Sequence, residues 1–230
     1  SPYGIGTLGK TAYDWINFLK ESGQSWWQIL PLGPTSYGDS PYQSFSSAAG
    51  NPYLIDLDML IEEGLLEKKD LSGINWGENP ERVDYGAIFN SRFSVLHKAY
   101  LKGKDTMKEE FEDFREENEE WVEDYALFMS LKKHFDMKSW LDWPDEKARK
   151  RDEDALKSYR EALSDDISYY AFLQFLFFRQ WNNLRRYAKK NNIGIIGDIP
   201  IYVALDSADV WKDPDMFQLD ENYVPEEVSG

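Results

Sequence analysis

The sequence predicts an α/β protein with more helix than strand. Two apolar runs, Trp26 to Leu30 and Ile193 to Ile196, have the length and the flanking turn residues of β-strands. Between them, most of the chain carries apolar residues at helical spacing. We expect both strands to be buried, and we expect a ligand site in the loops that follow their carboxyl ends.

Helical spacing predicts the other elements in order. Residues 11–21 form a helix that Gly23 ends, and a shorter helix ends at Gly64. A third helix covers residues 87–101, and a long helical stretch covers 105–135.

The last third of the chain is predicted in the same way. Pro144 breaks the helical pattern, and a charged helical segment then resumes. Residues 167–190 are apolar nearly all round in their first half, which is typical of a buried helix. After the second strand, Asp206 is expected to be the N-cap of a short helix.

Composition restricts the class of protein. At 230 residues the chain can bury a core as one large domain or two small ones. A formal charge of −16 disfavours nucleic acid and anionic membranes as partners. The absence of cysteine excludes a disulfide framework and fits a cytoplasmic enzyme. No apolar run approaches the roughly 18 residues that a membrane span needs.

The loop after the first predicted strand offers the groups that a sugar needs. Tyr37 and Tyr42 provide flat aromatic faces, and Ser36, Asp39 and Ser40 provide short donors and acceptors. A pyranose has an apolar CH face and a rim of hydroxyl groups, so this composition suits it. An ordinary turn-rich connection with two packed tyrosines fits the same residues equally well.

Asp198 is the leading candidate for a working carboxylate, because it emerges just past a predicted buried strand. Asp39 is the second candidate, although Asp before Ser-Pro is also a common turn residue. Retaining glycosidase chemistry uses two carboxyl groups about 5–5.5 Å apart. The spacing of Asp39 and Asp198 in the sequence leaves that separation open, and a hydrogen-bonded structural role for Asp198 is the alternative.

Other catalytic motifs are absent from the sequence. His97 and His134 are isolated, and no zinc-protease, calcium-loop, nucleophile-elbow or phosphate-loop pattern occurs. The glycines of residues 4–9 have the wrong spacing for a dinucleotide fingerprint, and no strand precedes them in the chain. We therefore expect no metal site.

Five blocks carry a family pattern and run in that family's order along nearly the whole chain. They are YGIGTLG, WQILPLGPTSYGDSPYQSFSSAAGNPYLIDL, EDYALFMSLK, FFRQW and GDIPIYVALDSADVWKDPDMFQLD. On these blocks the chain resembles the amylomaltases, which are 4-α-glucanotransferases (disproportionating enzymes) of the wider α-amylase clan.

The resemblance implies part of a (β/α)₈ TIM barrel with largely α-helical inserted subdomains. Residues 1–58 would hold the first barrel βα segments and the sugar-binding loop. Residues 59–192 would hold mostly helical insertions and barrel helices. Residues 193–230 would hold the barrel strand that bears Asp198 and the loop that follows it.

The resemblance also implies an activity. Such enzymes cut an α-1,4-glucan, hold the donor as a covalent glycosyl-enzyme and pass it to a sugar acceptor, with no obligatory cofactor. The implied partners are maltooligosaccharides and glucans of the starch or glycogen type. Tyr37, Ser40 and Tyr42 fall on the loop that lines the donor subsites. Asp198 falls on an acidic position that supports the reacting sugar and is not the nucleophile.

In this family the nucleophilic Asp, the acid/base Glu and a third Asp lie on later strands, which the 230 residues do not contain. We therefore expect an N-terminal part with roughly half a barrel, inactive alone and dependent on the rest of the barrel in the parent chain. The alternatives are a hydrolase or debranching transferase of the same clan, or a non-catalytic glucan-binding module.

Overall fold

The computed structural model of the chain describes residues 2–36, 38–79 and 81–227. Within these residues the protein is a mostly helical α/β structure, as the sequence predicts. The helices are α1 (Lys10–Glu21), α2 (Leu57–Glu62), α3 (Tyr85–Thr106), α4 (Lys108–Glu117), α5 (Glu119–His134), α6 (Glu146–Arg149), α7 (Glu153–Ala162), α8 (Ser164–Lys190) and α9 (Ala208–Lys212). Short 3-10 turns lie at Pro52–Leu54, Lys68–Leu71, Trp140–Asp142 and Pro214–Met216. None of these helices is both long enough and apolar enough to cross a membrane.

The two predicted strands are present and pair with each other. Strand β1 (Trp26–Gln28) runs parallel to β2 (Gly194–Ile196), and Trp27 lies opposite Ile195. The N–H of Ile29 extends the ladder by donating to the carbonyl oxygen of Ile196 at 3.0 Å. Parallel strands need a long crossover connection, and here it contains helices α2 to α8.

Our expectation that both strands are buried is wrong within this structure. Trp26 is 64% exposed and Ile196 is 47% exposed, while Trp27 and Ile195 are half-buried. A sheet of two strands has two unpaired edges, so its apolar side chains are only partly covered.

The chain divides into two compact units. Unit 1 consists of residues 1–32, 50–117 and 172–199, and it contains both strands. Unit 2 consists of residues 33–49, 118–171 and 200–230. The loop after β1 therefore belongs to unit 2, whereas the carboxylate after β2 belongs to unit 1.

Unit 1 is built on an aromatic core. Phe172 lies at the centre, with its ring centroid 5.7 Å from Tyr100 of α3, 5.2 Å from Phe111 of α4 and 5.5 Å from Phe175. Gly103 of α3 allows this packing, because a Cβ there would lie 2.4 Å from the Cζ atom of Phe172. The close approach of α3 to Phe172 thus depends on a missing side chain.

Two buried glutamines of α8 fix the segment that follows residue 49. Gln174 accepts a hydrogen bond from the Gly50 N–H at 2.7 Å and donates to the Gly50 carbonyl at 3.0 Å. Gln180 makes the same pair of bonds with Asp56, at 2.7 and 3.1 Å. Each side-chain amide therefore satisfies both backbone polar groups of one residue, as a neighbouring strand would.

Unit 2 is built on tryptophan. Trp140, Trp143 and Trp211 are all buried, and the ring of Phe128 in α5 lies 5.8 Å from both Trp143 and Trp211. The indole N–H of Trp211 donates to the Ala148 carbonyl at 3.0 Å. A buried indole needs such a partner for its polar atom, so these contacts fix the rings in one orientation.

Periodicity located the helices but not their interruptions. The predicted stretch 105–135 is interrupted at Met107 and Asn118, and so becomes α3's last turn, α4 and α5. The charged segment after Pro144 divides at Arg151, whose φ of +55° is incompatible with a helix.

We expect Gly103→Ala to lower the free energy of unfolding by about 1–3 kcal/mol, because the added methyl group overpacks the buried ring of Phe172. Gly86→Ala is the matched control in the same helix, since the nearest atom to its Cβ would be the Asp84 Oδ1 at 3.5 Å. That variant should be unchanged or up to about 1 kcal/mol more stable. Urea unfolding measures both, and equal effects would contradict the packing argument.

Candidate functional site

The predicted sugar loop is a hairpin within unit 2. Its two arms meet at an antiparallel bridge between Thr35 and Ser44. The N–H of Ser36 donates to the Gln43 carbonyl at 3.0 Å. We call residues 33–49 the substrate hairpin. Residues 38–43 are its tip, and residues 44–49 are its base.

The tip presents a carboxylate, a hydroxyl group and an aromatic ring close together in the sequence. Gly38 and Asp39 have φ values of +88° and +56°, and the Asp39 N–H donates to the Ser36 carbonyl at 3.2 Å. The Ser40 hydroxyl oxygen accepts a hydrogen bond from the Tyr42 N–H at 3.3 Å. Asp39 is exposed and Tyr42 is 43% exposed, so both are accessible to a ligand.

The predicted site residues fall into three groups. Asp39, Ser40 and Tyr42 lie together on the hairpin tip in unit 2. Asp198 lies in unit 1. Tyr37 lies outside the described residues.

Asp198 is exposed, and the strand that it follows is only partly buried. It follows β2 and Gly197, and its Oδ1 accepts a hydrogen bond from the N–H of Ile199 at 2.9 Å. The adjacent Ile199 is 79% exposed, so this end of the two-stranded sheet is open within unit 1. The carboxylate is therefore accessible at the carboxyl end of its strand.

Hydrogen bonds made by the hydroxyl groups of two serines hold the base of the substrate hairpin. Ser44 and Ser46 are buried, and the Ser44 hydroxyl donates to the Ser46 carbonyl at 2.7 Å. The Ser46 hydroxyl oxygen accepts from the N–H groups of Ala48 and Ala49 at 3.2 and 3.3 Å. A Cβ at Gly33 would lie 2.8 Å from the Ser44 Oγ, so glycine is needed for the two arms to approach.

Helix α9 holds this base through backbone and side-chain bonds. Asp209 accepts two hydrogen bonds from Ser47, one from the N–H at 2.9 Å and one from the hydroxyl at 2.6 Å. The Ala208 N–H donates to the Phe45 carbonyl at 2.8 Å. The hairpin base is thus bound to the first turn of α9 by three hydrogen bonds.

A buried lysine lies behind the hairpin base. The Lys132 Nζ atom of α5 is 2.6 Å from the Asp206 Oδ2 and 2.9 Å from the Lys138 carbonyl oxygen. It also lies 4.9 Å from the ring centroid of Phe45 and 5.6 Å from that of Phe128. Burial lowers the pKa of Lys132, although the hydrogen bond and charge of Asp206 oppose that shift.

Asp206 is therefore not the N-cap that the sequence predicts. The N-cap of α9 is Ser207, whose side chain accepts a hydrogen bond from the Val210 N–H at 3.3 Å. Asp206 instead pairs with Lys132 and accepts from the Trp140 N–H at 3.2 Å. Adjacent Asp and Ser can both cap a helix, and the buried ammonium group decides between them.

Sequence reasoning missed Lys132, Asp206 and Asp209 as parts of the site. One signal was available, because Lys132 follows Phe128 by four residues and precedes Phe135 by three, which places a cation on an apolar helical face. Such a cation requires a buried partner. Its partner lies 74 residues away, and local patterns do not identify it.

A carboxylate with three cations ties α5 to α9. The Asp124 carboxylate lies 2.7 Å from Arg151, 3.2 Å from Lys212 and 3.6 Å from Arg160. Burial would raise the pKa of Asp124, but the hydrogen bonds and charges of Arg151 and Lys212 outweigh burial and lower it. Asp124 also lines a cavity of about 320 Å³ with Trp121, Phe217 and Asp209.

Among residues 2–36, 38–79 and 81–227, no group of three or more histidine and acidic side chains is placed to hold a metal ion. The geometry found within the units consists of hydroxyl, carboxylate and aromatic groups on the hairpin tip and one carboxylate after β2.

Comparison with known proteins gives the family. A family model described as 4-alpha-glucanotransferase matches residues 1–228. The chain belongs to the 4-alpha-glucanotransferase family. This confirms the resemblance drawn from the five sequence blocks.

Individual members of the 4-alpha-glucanotransferase family agree. The chain is 53% identical over 230 residues to a 4-alpha-glucanotransferase of Clostridium butyricum, covering 99% of this chain and 47% of the relative. It is 48% identical to a 4-alpha-glucanotransferase of Thermus thermophilus, covering 100% of this chain and 45% of the relative. The chain therefore spans less than half the length of these relatives.

A solved structure is similar throughout. The amylomaltase from Streptococcus agalactiae in complex with acarbose matches with a TM-score of 0.94 and 46% identity, covering 100% of this chain and 47% of that chain. A second amylomaltase, from Corynebacterium glutamicum, matches with a TM-score of 0.67 at 16% identity, covering 91% of this chain and 30% of that chain. The second match supports the fold alone.

We expect Asp124→Asn to lower the free energy of unfolding by about 1–3 kcal/mol near neutral pH, because Arg151 and Lys212 lose their shared counter-ion. The folded-state pKa of Asp124 is lowered, so this stabilisation is present above the unfolded-state pKa and is lost as pH falls through the folded-state pKa. The difference from wild type should therefore be constant above about pH 5 and shrink in acid.

Chemical denaturation across this pH range measures the effect. Asp152→Asn is the control, because Asp152 caps α7 through the Ala155 N–H and Asn caps a helix equally well. A loss of stability at Asp124→Asn that grows in acid would contradict the sign of the shift.

Proposed function

We propose that this chain forms the N-terminal part of a cytoplasmic 4-α-glucanotransferase. The enzyme would transfer a segment of an α-1,4-glucan to a sugar acceptor. The observation that carries the proposal is the family match along residues 1–228. It is supported by the similarity of the whole chain to an amylomaltase in complex with acarbose, an analogue of a maltooligosaccharide.

The proposal includes a (β/α)₈ barrel to which β1 and β2 contribute neighbouring strands. Three observations support it: the two strands are parallel, helices separate them in the chain, and apolar side chains on both strands are exposed within unit 1. A soluble protein rarely leaves such side chains uncovered together. The chain spans less than half the length of its relatives, so further strands would cover them.

The hairpin tip would bind the donor sugar. We assign stacking on an apolar sugar face to Tyr42, and hydrogen bonds to sugar hydroxyls to Asp39 and Ser40. Tyr37 receives a similar role on its position in the sequence alone. Asp198 would support the pocket around the reacting sugar, since an acidic residue just after a barrel strand is where such folds place working groups.

The chemistry would proceed with retention. A carboxylate nucleophile would displace the leaving sugar to form a glycosyl-enzyme while an acid/base residue protonates the leaving oxygen. The acceptor hydroxyl would then displace the enzyme and return its proton to the same acid/base residue. We assign both carboxyl groups to the part of the relatives' length that this chain does not cover.

The substrates would be maltooligosaccharides and glucans of the starch or glycogen type, with no cofactor. These ligands are neutral, so the formal charge of −16 does not oppose their binding, whereas it would repel nucleic acid and anionic membranes.

Incubation of the full-length enzyme, of which this chain would be the N-terminal part, with maltotriose tests the proposed transfer activity. Transfer yields glucose together with a series of longer maltodextrins, whereas hydrolysis yields only shorter products. Shorter products alone would indicate a hydrolase of the same clan. Glucan binding without any turnover would indicate a binding module and would overturn the proposal.

We expect Tyr42→Ala to raise the KM for maltotriose about three- to tenfold, because the variant loses a stacking surface that contributes about 0.5–1.5 kcal/mol. Tyr42→Phe is the matched control and should keep most of the affinity, since it keeps the ring. Initial-rate kinetics and calorimetry with maltotriose measure the change. Equal KM values for wild type and Tyr42→Ala would remove Tyr42 from the site.

The carboxylate and the backbone of Asp39 can be tested separately. Asp39 has φ of +56°, which Gly and Asn adopt readily, so Asp39→Gly and Asp39→Asn should both preserve the tip. If the carboxylate binds a sugar hydroxyl, Asp39→Gly should raise KM about five- to twentyfold and Asp39→Asn by less, because the amide keeps an acceptor. Similar kinetics for both variants and wild type would leave Asp39 a turn residue only.

A further inference from the structure

The two arms of the substrate hairpin are joined to each other by backbone contacts at residues 34–36 and 43–45. Between its arms the described contacts are the bridge of Thr35 with Ser44 and the Phe45 N–H bond to the Pro34 carbonyl at 3.4 Å, together with the bond of Ser36 to Gln43. An isolated two-stranded hairpin is only marginally stable in water. The position of its tip therefore depends on what holds its base.

Asp209 holds the base by accepting two hydrogen bonds from a single residue. Its two carboxylate oxygens receive the N–H and the hydroxyl of Ser47, so both the backbone and the side chain of Ser47 are fixed. Bonds to an ionised acceptor are shorter and stronger than neutral ones, which agrees with the 2.6 Å hydroxyl contact. The neighbouring Ala208 adds the bond to the Phe45 carbonyl.

Lys132 holds the same region from behind. Its buried ammonium group lies against the Phe45 ring of the hairpin base and is paired with Asp206, three residues before Asp209. Asp206 is in turn fixed by the Trp140 N–H, and the Trp140 indole donates to the Leu205 carbonyl at 2.8 Å. The segment that carries Asp209 is therefore immobilised by the core of unit 2.

We propose that Asp209 and Lys132 are positioning residues, which hold the base of the substrate hairpin so that Asp39, Ser40 and Tyr42 are presented in one arrangement. Neither residue lies on the tip, so each acts through Ser47 or Phe45. The inference rests on the proposed function, because it assumes that the tip binds the glucan. It adds that affinity is controlled at residues 45–47, away from the sugar.

Asp209 is the residue to vary, because it is half-buried and its removal leaves no buried cation unpaired. Replacing Lys132 would leave Asp206 without its cation, and a failure to fold would then hide any effect on binding. Asp209→Ala removes both bonds to Ser47, and Asp209→Asn keeps an acceptor for one of them. Ser47→Ala removes only the hydroxyl bond.

The experiment compares these variants in the full-length enzyme, with Asp152→Ala as the control. Asp152 caps α7 in the same unit, and its described hydrogen bonds join it to Lys147, Ala155 and Leu156. We expect Asp209→Ala to raise the KM for maltotriose five- to twentyfold with kcat within twofold, and Asp209→Asn to fall between it and wild type. Adding Ser47→Ala to Asp209→Ala should raise KM no further.

Amide hydrogen exchange gives a second readout that does not require turnover. We expect exchange of residues 38–47 to be at least tenfold faster in Asp209→Ala, and unchanged in Asp152→Ala. If Asp209 had a merely structural role, Asp209→Ala and Asp152→Ala would lower the stability of the protein alike. Their KM values would be similar, and hydrogen exchange of residues 38–47 would not change. That result would overturn the proposal.

The two readouts separate this inference from the proposed function. If the wild-type enzyme disproportionates maltotriose but Asp209→Ala matches Asp152→Ala in KM and exchange, the positioning role is wrong. If the wild type lacks the activity while Asp209→Ala still speeds hydrogen exchange of residues 38–47, the proposed function is wrong. The role of Asp209 in holding the hairpin would then be supported. If Asp209→Ala does not fold, Ser47→Ala tests the positioning role in its place. A KM equal to that of the wild type would then contradict this role.

Discussion

The arrangement of unit 2 depends on the buried ammonium group of Lys132. Removing this charge from water is costly, and its compensation comes from Asp206, the Lys138 carbonyl and the faces of Phe45 and Phe128. Loss of one partner from a fully buried ion pair costs about 3–5 kcal/mol, and the 32% exposure of the Asp206 side chain places this pair below that range. Loss of Asp206 would therefore leave an unpaired ammonium group against the rings of Phe45 and Phe128.

In unit 1, the neutral side chains of two glutamines satisfy buried polar groups of the backbone. The segment that follows the substrate hairpin has backbone polar groups that no strand pairs, and the buried amides of Gln174 and Gln180 satisfy those of Gly50 and Asp56. Both glutamines lie on α8, six residues apart, so one rigid helix fixes two points of the segment. Gly50 and Asp56 are thereby fixed by a helix that itself packs through aromatic rings.

The sequence predicted correctly those features that depend on residues close together in the chain, and it failed for features that depend on distant residues. Local periodicity located β1, β2 and the helices, because those patterns repeat within a few residues. It failed for the burial of Trp26 and Ile196 on the two strands, which depends on what covers the sheet. It also failed at Asp206, where a partner 74 residues away overrides the local preference for a cap.

The candidate site shows the same division. Asp39, Ser40 and Tyr42 could be chosen from the sequence, because turn residues, hydroxyl groups and an exposed ring are recognisable by type. The proposed positioning residue Asp209 could not be chosen from the sequence, since its role depends only on its two hydrogen bonds to Ser47. Residue type thus identified the candidate ligand-binding groups, while the groups that hold them in place required coordinates.

Under the proposed function the ligand is a neutral glucan, and this would give the contacts of Asp209 and Lys132 their importance. A chain with a formal charge of −16 gains no long-range attraction for an uncharged sugar, so affinity has to come from contacts at van der Waals and hydrogen-bond distance. Such contacts are sensitive to displacements of about 1 Å. An isolated two-stranded hairpin is only marginally stable, so an exposed tip with two left-handed residues depends on its base for that precision. A base held by Asp209 and packed against the Lys132–Asp206 pair would supply it, which leaves the tip accessible and still well placed.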